Sequence, residues 1–173
     1  MIVFSKSKAD SNLYYKVEDG NPVMLLLYVD DLFVTGMDGL IADTKRKLAV
    51  DFEMEELGKM HYFLGTEVWQ NANGIYLRQG KYAVEILKRF GMMDCKAMAT
   101  PMESNLNLLS DSSSEFVDAM MYPQMIGSLM YLTNTRPDIF FIVNNLSQFL
   151  KIANHAVRYL KGIVECGLKY GMN

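Results

Sequence analysis

An α+β fold, with an antiparallel sheet and its helix first and a mainly helical region after it, is what this sequence predicts, on three observations. Short apolar runs separated by turn residues fill positions 13–35 and 60–77. Helical spacing of apolar positions recurs at 81–90 and through the last third. A Ser- and Asn-rich stretch at 100–115, with Pro101 near its start, lies between the two patterns and reads as a linker. The expected organisation is 1–78 and 79–173, with a flexible loop over about 94–118 in the second part.

Residues 13–17 read as a short strand, and Glu18-Asp19-Gly20-Asn21-Pro22 is a strong turn signal. Residues 23–29 are almost wholly apolar, two acids follow, and 32–35 are apolar again before Gly36. This predicts two buried strands joined at Asp30-Asp31. Asp38 is expected to cap a surface helix over 38–52, with Leu40, Ile41, Leu48 and Phe52 near helical spacing and Lys45, Arg46 and Lys47 outward. Residues 60–69 and 74–77 read as strands around the Asn71-Ala72-Asn73-Gly74 turn, completing one antiparallel sheet. Residues 81–90 form an amphipathic helix stopped by Gly91. Beyond the linker, 122–134 and 138–151 are helices split by Arg136-Pro137, 155–161 is another, and 167–170 is a strand.

The net charge of -3, from 17 basic and 20 acidic residues, does not make a general polyanion binder, so nucleic-acid contact must come from local clusters. Cys95 and Cys166 have no metal-ligand spacing and form no CxxC pair, which fits a reducing compartment and predicts no disulfide. The apolar runs 24–29 and 139–143 are far shorter than the roughly 20 residues of a membrane helix. Residues 1–4 are too short for a signal peptide, with Lys6 and Lys8 after them instead of before, so the expectation is an intracellular product with no membrane partner. The 14 methionines, scattered through apolar stretches, read as core filler. His61 and His155 stand apart from any ligand pattern, and Trp69 reads as core in preference to a base-stacking platform.

Asp30 and Asp31 are the chemically odd place. Adjacent strand residues point to opposite faces, so the two carboxylates converge on one ion only at the tight bend of a hairpin. Asp-Asp is poor chemistry for a two-residue turn, and two adjacent anions repel. A divalent cation resolves the conflict because carboxylate oxygens are its preferred ligands. Composition alone equally allows a solvated hairpin tip.

The flanking sequence resembles copia-type (Ty1/copia) retrotransposon reverse transcriptases, from Leu25-Leu26-Leu27-Tyr28-Val29-Asp30-Asp31 to Leu32-Phe33-Val34-Thr35-Gly36. The likeness continues through Phe52-Glu53-Met54-Glu55-Glu56-Leu57-Gly58, Tyr62-Phe63-Leu64-Gly65-Thr66-Glu67-Val68 and Gly74-Ile75-Tyr76-Leu77-Arg78-Gln79. It resumes at Leu87-Lys88-Arg89-Phe90-Gly91, Thr100-Pro101-Met102, Gly127-Ser128-Leu129-Met130-Tyr131-Leu132, Thr135-Arg136-Pro137-Asp138-Ile139 and Arg158-Tyr159-Leu160-Lys161-Gly162.

The resemblance implies a partial polymerase palm followed by a thumb in a Pol polyprotein, and template-directed addition of deoxynucleotides to a primer with Mg²⁺ or Mn²⁺. It makes Asp30 a direct metal ligand and Asp31 its less directly engaged neighbour, with Tyr28 and Val29 near the primer end and incoming nucleotide. Phe63, Leu64 and Gly65 match the strand that supports the primer, against the alternative of an ordinary core strand. Arg78, Lys81, Lys88 and Arg89 are placed to touch backbone phosphates of an RNA or DNA template-primer duplex, against the alternative of a solvated helix face. Family likeness also implies cytoplasmic particles and then the nucleus.

The family's first catalytic aspartate and its fingers residues have no match here, so polymerisation by this chain alone is not expected. The alternatives are a non-catalytic nucleic-acid-binding remnant and a pseudogene product without a selected role. Between Ser147-Gln148-Phe149-Leu150 and Arg158 the family has a longer stretch, which predicts an internal deletion. No ribonuclease H segment is matched.

Overall fold

The computed structural model describes residues 3–101, 121–145 and 150–171. The chain divides into two compact units, Met1–Gly58 and Lys59–Asn173, so the boundary lies at Gly58 and not after Arg78 as the sequence suggested. The displacement has a simple cause. The sheet of the second unit is completed by residues from the end of the chain, which ties 59–78 to the later helical region and not to the earlier strands.

In the first unit, β1 (Ser5–Lys6), β2 (Leu13–Glu18), β3 (Asn21–Tyr28) and β4 (Asp31–Thr35) form an antiparallel sheet in that order. Asp19-Gly20 joins β2 to β3, and both residues have positive φ, 48° and 80°. That is the two-residue hairpin turn an Asp-Gly pair favours. Helix α1 (Asp38–Asp51) comes next, with Met37 at the N-cap and no side-chain cap. Asp38 is therefore the first helical residue, where its charge still complements the helix dipole. Asp43 pairs with Arg46 and Lys47 one turn on, and these hydrogen bonds, Lys47 first, hold its carboxyl below the usual range. Only Val23 and Leu25 of β3 are buried, while Met24 and Leu27 are about two-fifths exposed. The continuous apolar run is thus covered on one face only, which corrects the expectation of strands buried on both.

In the second unit, β5 (Tyr62–Phe63), β6 (Thr66–Asn71), β7 (Gly74–Arg78) and β8 (Gly167–Tyr170) form a second antiparallel sheet, where one sheet had been expected. Positive φ at Leu64 (46°) and Gly65 (76°) turns the predicted single strand 60–69 into a hairpin. Helix α2 (Gly80–Arg89) packs on β6 and ends as the sequence indicated. Gly91 is left-handed (φ 65°), its N–H donates to Lys88 O, and Met92 N–H donates to Leu87 O. Those two bonds are the Schellman stop.

After α3 (Met121–Leu132), a 3₁₀ turn (Pro137–Ile139) leads into α4 (Phe140–Asn145), and α5 (Leu150–Gly162) starts before the predicted 155. Ile86, Leu129, Leu132, Ile139, Ile142, Val157 and Leu160 are essentially inaccessible and form the core between α2, α3, α4 and α5. Of the predicted loop 94–118, residues 102–118 lie outside the described residues, as do 147–149 of the expected deletion. Residues 95–100 are irregular but pinned to α5. Arg158 Nε donates to Lys96 O (3.0 Å), Met98 N–H donates to Arg158 O (3.2 Å), and His155 Nε2 meets Thr100 O (2.8 Å).

Candidate functional site

The acid pair sits where β3 becomes β4, but one residue off the predicted junction. Tyr28 pairs with Asp31, so the connection is Val29-Asp30 and Asp31 already belongs to β4. Val29 has φ 53°, while Asp30 is not among the positive-φ residues. A positive φ at the first turn residue alone is the pattern of a type II′ turn, whose first position ordinarily takes glycine. A β-branched residue there is strained by about 1–3 kcal/mol. Packing does not impose the strain, because Val29 is 80% exposed.

Asp30 and Asp31 are both exposed. Neither carboxylate has a hydrogen-bond or ion-pair partner among the described residues. They are hard oxygen donors held at the tip of a hairpin, chemistry that suits a divalent cation. Among the described residues no three His, Cys, Asp or Glu side chains gather to hold an ion, so the hairpin offers its two carboxylates alone. Tyr28, two-fifths exposed, ends β3 opposite Asp31.

The other predicted residues lie in the second unit. Phe63 closes β5, and Leu64-Gly65 are the turn itself, not a strand. The phenol of Tyr131 donates to Leu64 O and steadies that turn. Arg78 is committed within the fold. It pairs with exposed Glu165, its Nε lies 3.3 Å from Glu67 Oε2, and its guanidinium lies 4.5 Å from the Trp69 ring centroid. Those contacts use its Nε and one terminal nitrogen. Lys81 and Lys88 are exposed on α2, with the Lys81 ammonium 5.3 Å from the Tyr62 ring. Arg89 is exposed and reaches Ser128 Oγ at 3.5 Å.

Sequence reasoning missed the groups that position these residues. Glu67, 6% exposed, accepts the Lys81 N–H (3.2 Å) and so caps α2 from a neighbouring strand. No sequence pattern marked it, since Glu67 alternates with buried Val68 and shares a sheet face with Trp69. Gln79 Oε1 accepts from Thr135 Oγ1 (2.8 Å) in the interior. Arg136, 4% exposed, donates to both oxygens of Asp138 and to Ile163 O (3.0 Å), and Tyr159 Oη donates to Asp138 (2.9 Å). Burial alone would raise the Asp138 carboxyl, but the Arg136 and Tyr159 hydrogen bonds and the Arg136 charge carry it below the usual carboxylate range. Burial, then the hydrogen bond to Asp138, pushes the Tyr159 phenol up. Trp69, read from sequence as core, is 41% exposed on β6.

Residues 1–104 match the family described as Reverse transcriptase (RNA-dependent DNA polymerase). An uncharacterized mitochondrial protein of Arabidopsis thaliana is 39% identical over 153 residues, covering 83% of this chain and 63% of that protein. The retrovirus-related Pol polyprotein from transposon RE1 of the same plant is 35% identical over 176 residues, 96% of this chain and 12% of the polyprotein. The Pol polyprotein from transposon TNT 1-94 of Nicotiana tabacum is 33% identical over 187 residues, 97% of this chain and 14% of its own length. The chain therefore spans about an eighth of the Pol polyproteins it matches. No solved structure matches it. With the Tyr28-Val29-Asp30-Asp31 hairpin inside the matched region, the chain belongs to the reverse transcriptase family and corresponds to a segment of copia-type retrotransposon Pol polyproteins.

Proposed function

We propose that this chain contributes the catalytic-hairpin carboxylates of an RNA-directed DNA polymerase, and that it does not polymerise until a further acidic strand is supplied. The observation that carries the reading is the strained tip at Val29, which sets Asp30 in the turn and Asp31 at the start of β4, both exposed. Strain that packing does not explain gathers at working sites. Asp30 would hold Mg²⁺ or Mn²⁺ and Asp31 would support it. When bound, the ions supply charge stabilisation for the attacking and leaving oxygens of nucleotidyl transfer. Tyr28 and Val29 line the approach of the primer end and the deoxynucleotide.

Two carboxylates leave a divalent ion short of protein ligands. β4 is the last strand of its sheet among the described residues, and the further acidic strand is assigned to its outer edge, beside Asp31. In the second unit the Leu64-Gly65 turn, with Phe63 beside it, supports the primer, and Lys81, Lys88 and Arg89 meet duplex phosphates through charge. On this reading the sheet with the hairpin is part of a palm and the helical part of the second unit is a thumb.

The test is primer extension on an RNA template with Mg²⁺, by the chain alone and with the preceding segment of a related Pol polyprotein added. Extension only with the added segment, abolished by Asp30→Asn, is expected. Extension by the chain alone would overturn the requirement for a further acid, and extension unaffected by Asp30→Asn would overturn the assignment of the site. A second reading, nucleic-acid binding without catalysis, is favoured by exposed Lys88, which has no ion-pair partner among the described residues. It predicts that Lys88→Glu with Arg89→Glu weakens salt-sensitive duplex binding whether or not the metal site is filled.

A further inference from the structure

β6, β7 and β8 are registered so that Trp69 stands opposite Tyr76, and Tyr76 opposite Lys169. Residues directly opposite share a sheet face, so these three form one row across it. The neighbouring row on the same face is Glu67, Arg78 and Gly167. The cations confirm the sharing, since Arg78 lies 4.5 Å from the Trp69 ring centroid and Lys169 lies 5.4 Å from that of Tyr76. The opposite face carries Val68, 2% exposed, in a row with Leu77 and Leu168, and beyond them the exposed row Gln70, Ile75 and Tyr170. Trp69 is 41% exposed, Tyr76 is half-buried and Lys169 is exposed, so the aromatic row is reached from solvent.

Core packing accounts for Val68 and not for Trp69. An exposed indole and a phenol ring side by side, each met on one face by a cation, offer aromatic surface to bases, and the Lys169 ammonium offers positive charge to a phosphate chain. Glycine stands two residues from Tyr76 on β7 (Gly74) and two from Lys169 on β8 (Gly167), so no side chain rises over the rings from those positions. The opposing charges are known. Glu67 is buried against α2, Glu165 is paired with Arg78, and Lys169 has no carboxylate partner among the described residues. The open end of the row is therefore positive, although the whole chain is not.

We propose that this face binds single-stranded nucleic acid, stacking one base on Trp69 and the next on Tyr76, with Lys169 against the phosphates. This goes beyond the polymerase reading and needs neither Asp30 nor a metal ion.

Trp69 is the sole tryptophan of the chain, so its fluorescence reports on this one place. The full chain is titrated with short oligothymidylate at low salt, following tryptophan emission and, with a labelled oligonucleotide, anisotropy. Saturable quenching that falls with added salt is expected, with Lys169→Glu and Tyr76→Ala each binding about tenfold more weakly and Tyr76→Phe close to the original. Asp30→Asn should leave it unchanged, which separates this outcome from the fate of the polymerase reading. Heparin, a polyanion without bases, should not quench. Binding seen by anisotropy without quenching, quenching by heparin equal to that by the oligonucleotide, or Lys169→Glu at full affinity with native circular dichroism would each overturn the proposal.

Discussion

Val29 holds a positive φ of 53° with 80% of its surface in water, so the hairpin tip keeps its geometry through strand pairing and not through burial. Glycine would occupy that conformation without the Cβ clash, partly offset by the greater freedom it restores to the unfolded chain. Val29→Gly should therefore stabilise the first unit by about 1 kcal/mol, read as a higher denaturation midpoint with an unchanged slope. An unchanged or lower midpoint would mean that the turn is relaxed. The sequence marked Asp30-Asp31 as a place where local rules fail, but it could not assign the strain to Val29. Register, Tyr28 against Asp31, decides which two residues make the turn, and composition does not encode it. The same holds for Arg136 and Asp138, which read only as a helix break. The Asp138 carboxyl is lowered in the folded state, so its contribution is present above the unfolded value of about 3.8 and disappears as pH falls through the lower folded value. Asp138→Asn should flatten the acid side of the melting-temperature profile, and Arg136→Ala should cost about 2 kcal/mol at neutral pH by leaving Ile163 O without its donor and the half-buried Asp138 carboxylate with the Tyr159 hydrogen bond but no counter-charge. A profile with the same acid slope in both proteins would exclude this pair as the cause. Tyr159 has the opposite sense: its raised value means a contribution present below 10 and lost as pH climbs through the folded value.

Elements whose limits are written in local chemistry were legible. Asp19-Gly20 makes its hairpin, Gly91 stops α2, and Gly167–Tyr170 is the strand that was read there. Elements set by tertiary contacts were not. Leu64 looks like a strand residue, yet it sits in a turn whose carbonyl is held by Tyr131, 67 positions away in the chain. Residues 95–100 have loop composition but are hydrogen-bonded to α5. β8 is the element most exposed to a single change, because it approaches β7 through glycine at both ends. A Cβ on Gly167 would lie 2.2 Å from Leu77 O, and one on Gly74 would lie 2.0 Å from Tyr170 O. Both neighbours are backbone of a paired strand, which cannot yield without losing its ladder. Gly167→Ala should detach β8 and cost about 2 kcal/mol or more, whereas Gly127→Ala, with open space at its Cβ, should be neutral or slightly stabilising. Amide exchange separates the outcomes: protection at Leu168 and Tyr170 should vanish in Gly167→Ala and persist in Gly127→Ala.

At the scale of the whole chain, the burial is unevenly shared. Every residue of the main core cluster lies in the second unit, while the first unit's buried apolar residues among those described are Val23 and Leu25. At about 25 cal/mol per Å² of apolar surface, two buried side chains contribute only a few kcal/mol against the conformational entropy of a four-stranded sheet and a 14-residue helix. A small sheet with one covered face is marginal on its own. The unit that bears Asp30 and Asp31 should thus be the first to open. Unfolding by denaturant should show far-ultraviolet circular dichroism falling before the emission of Trp69, which sits in the second unit and reports only its collapse. Addition of Mg²⁺ should shift the early phase alone, because an ion held by the hairpin stabilises only the unit that binds it, and Asp30→Asn should remove the shift. Coincident transitions by both probes, or a Mg²⁺ shift that survives Asp30→Asn, would overturn the expectation that the hairpin-bearing unit opens first and binds the ion.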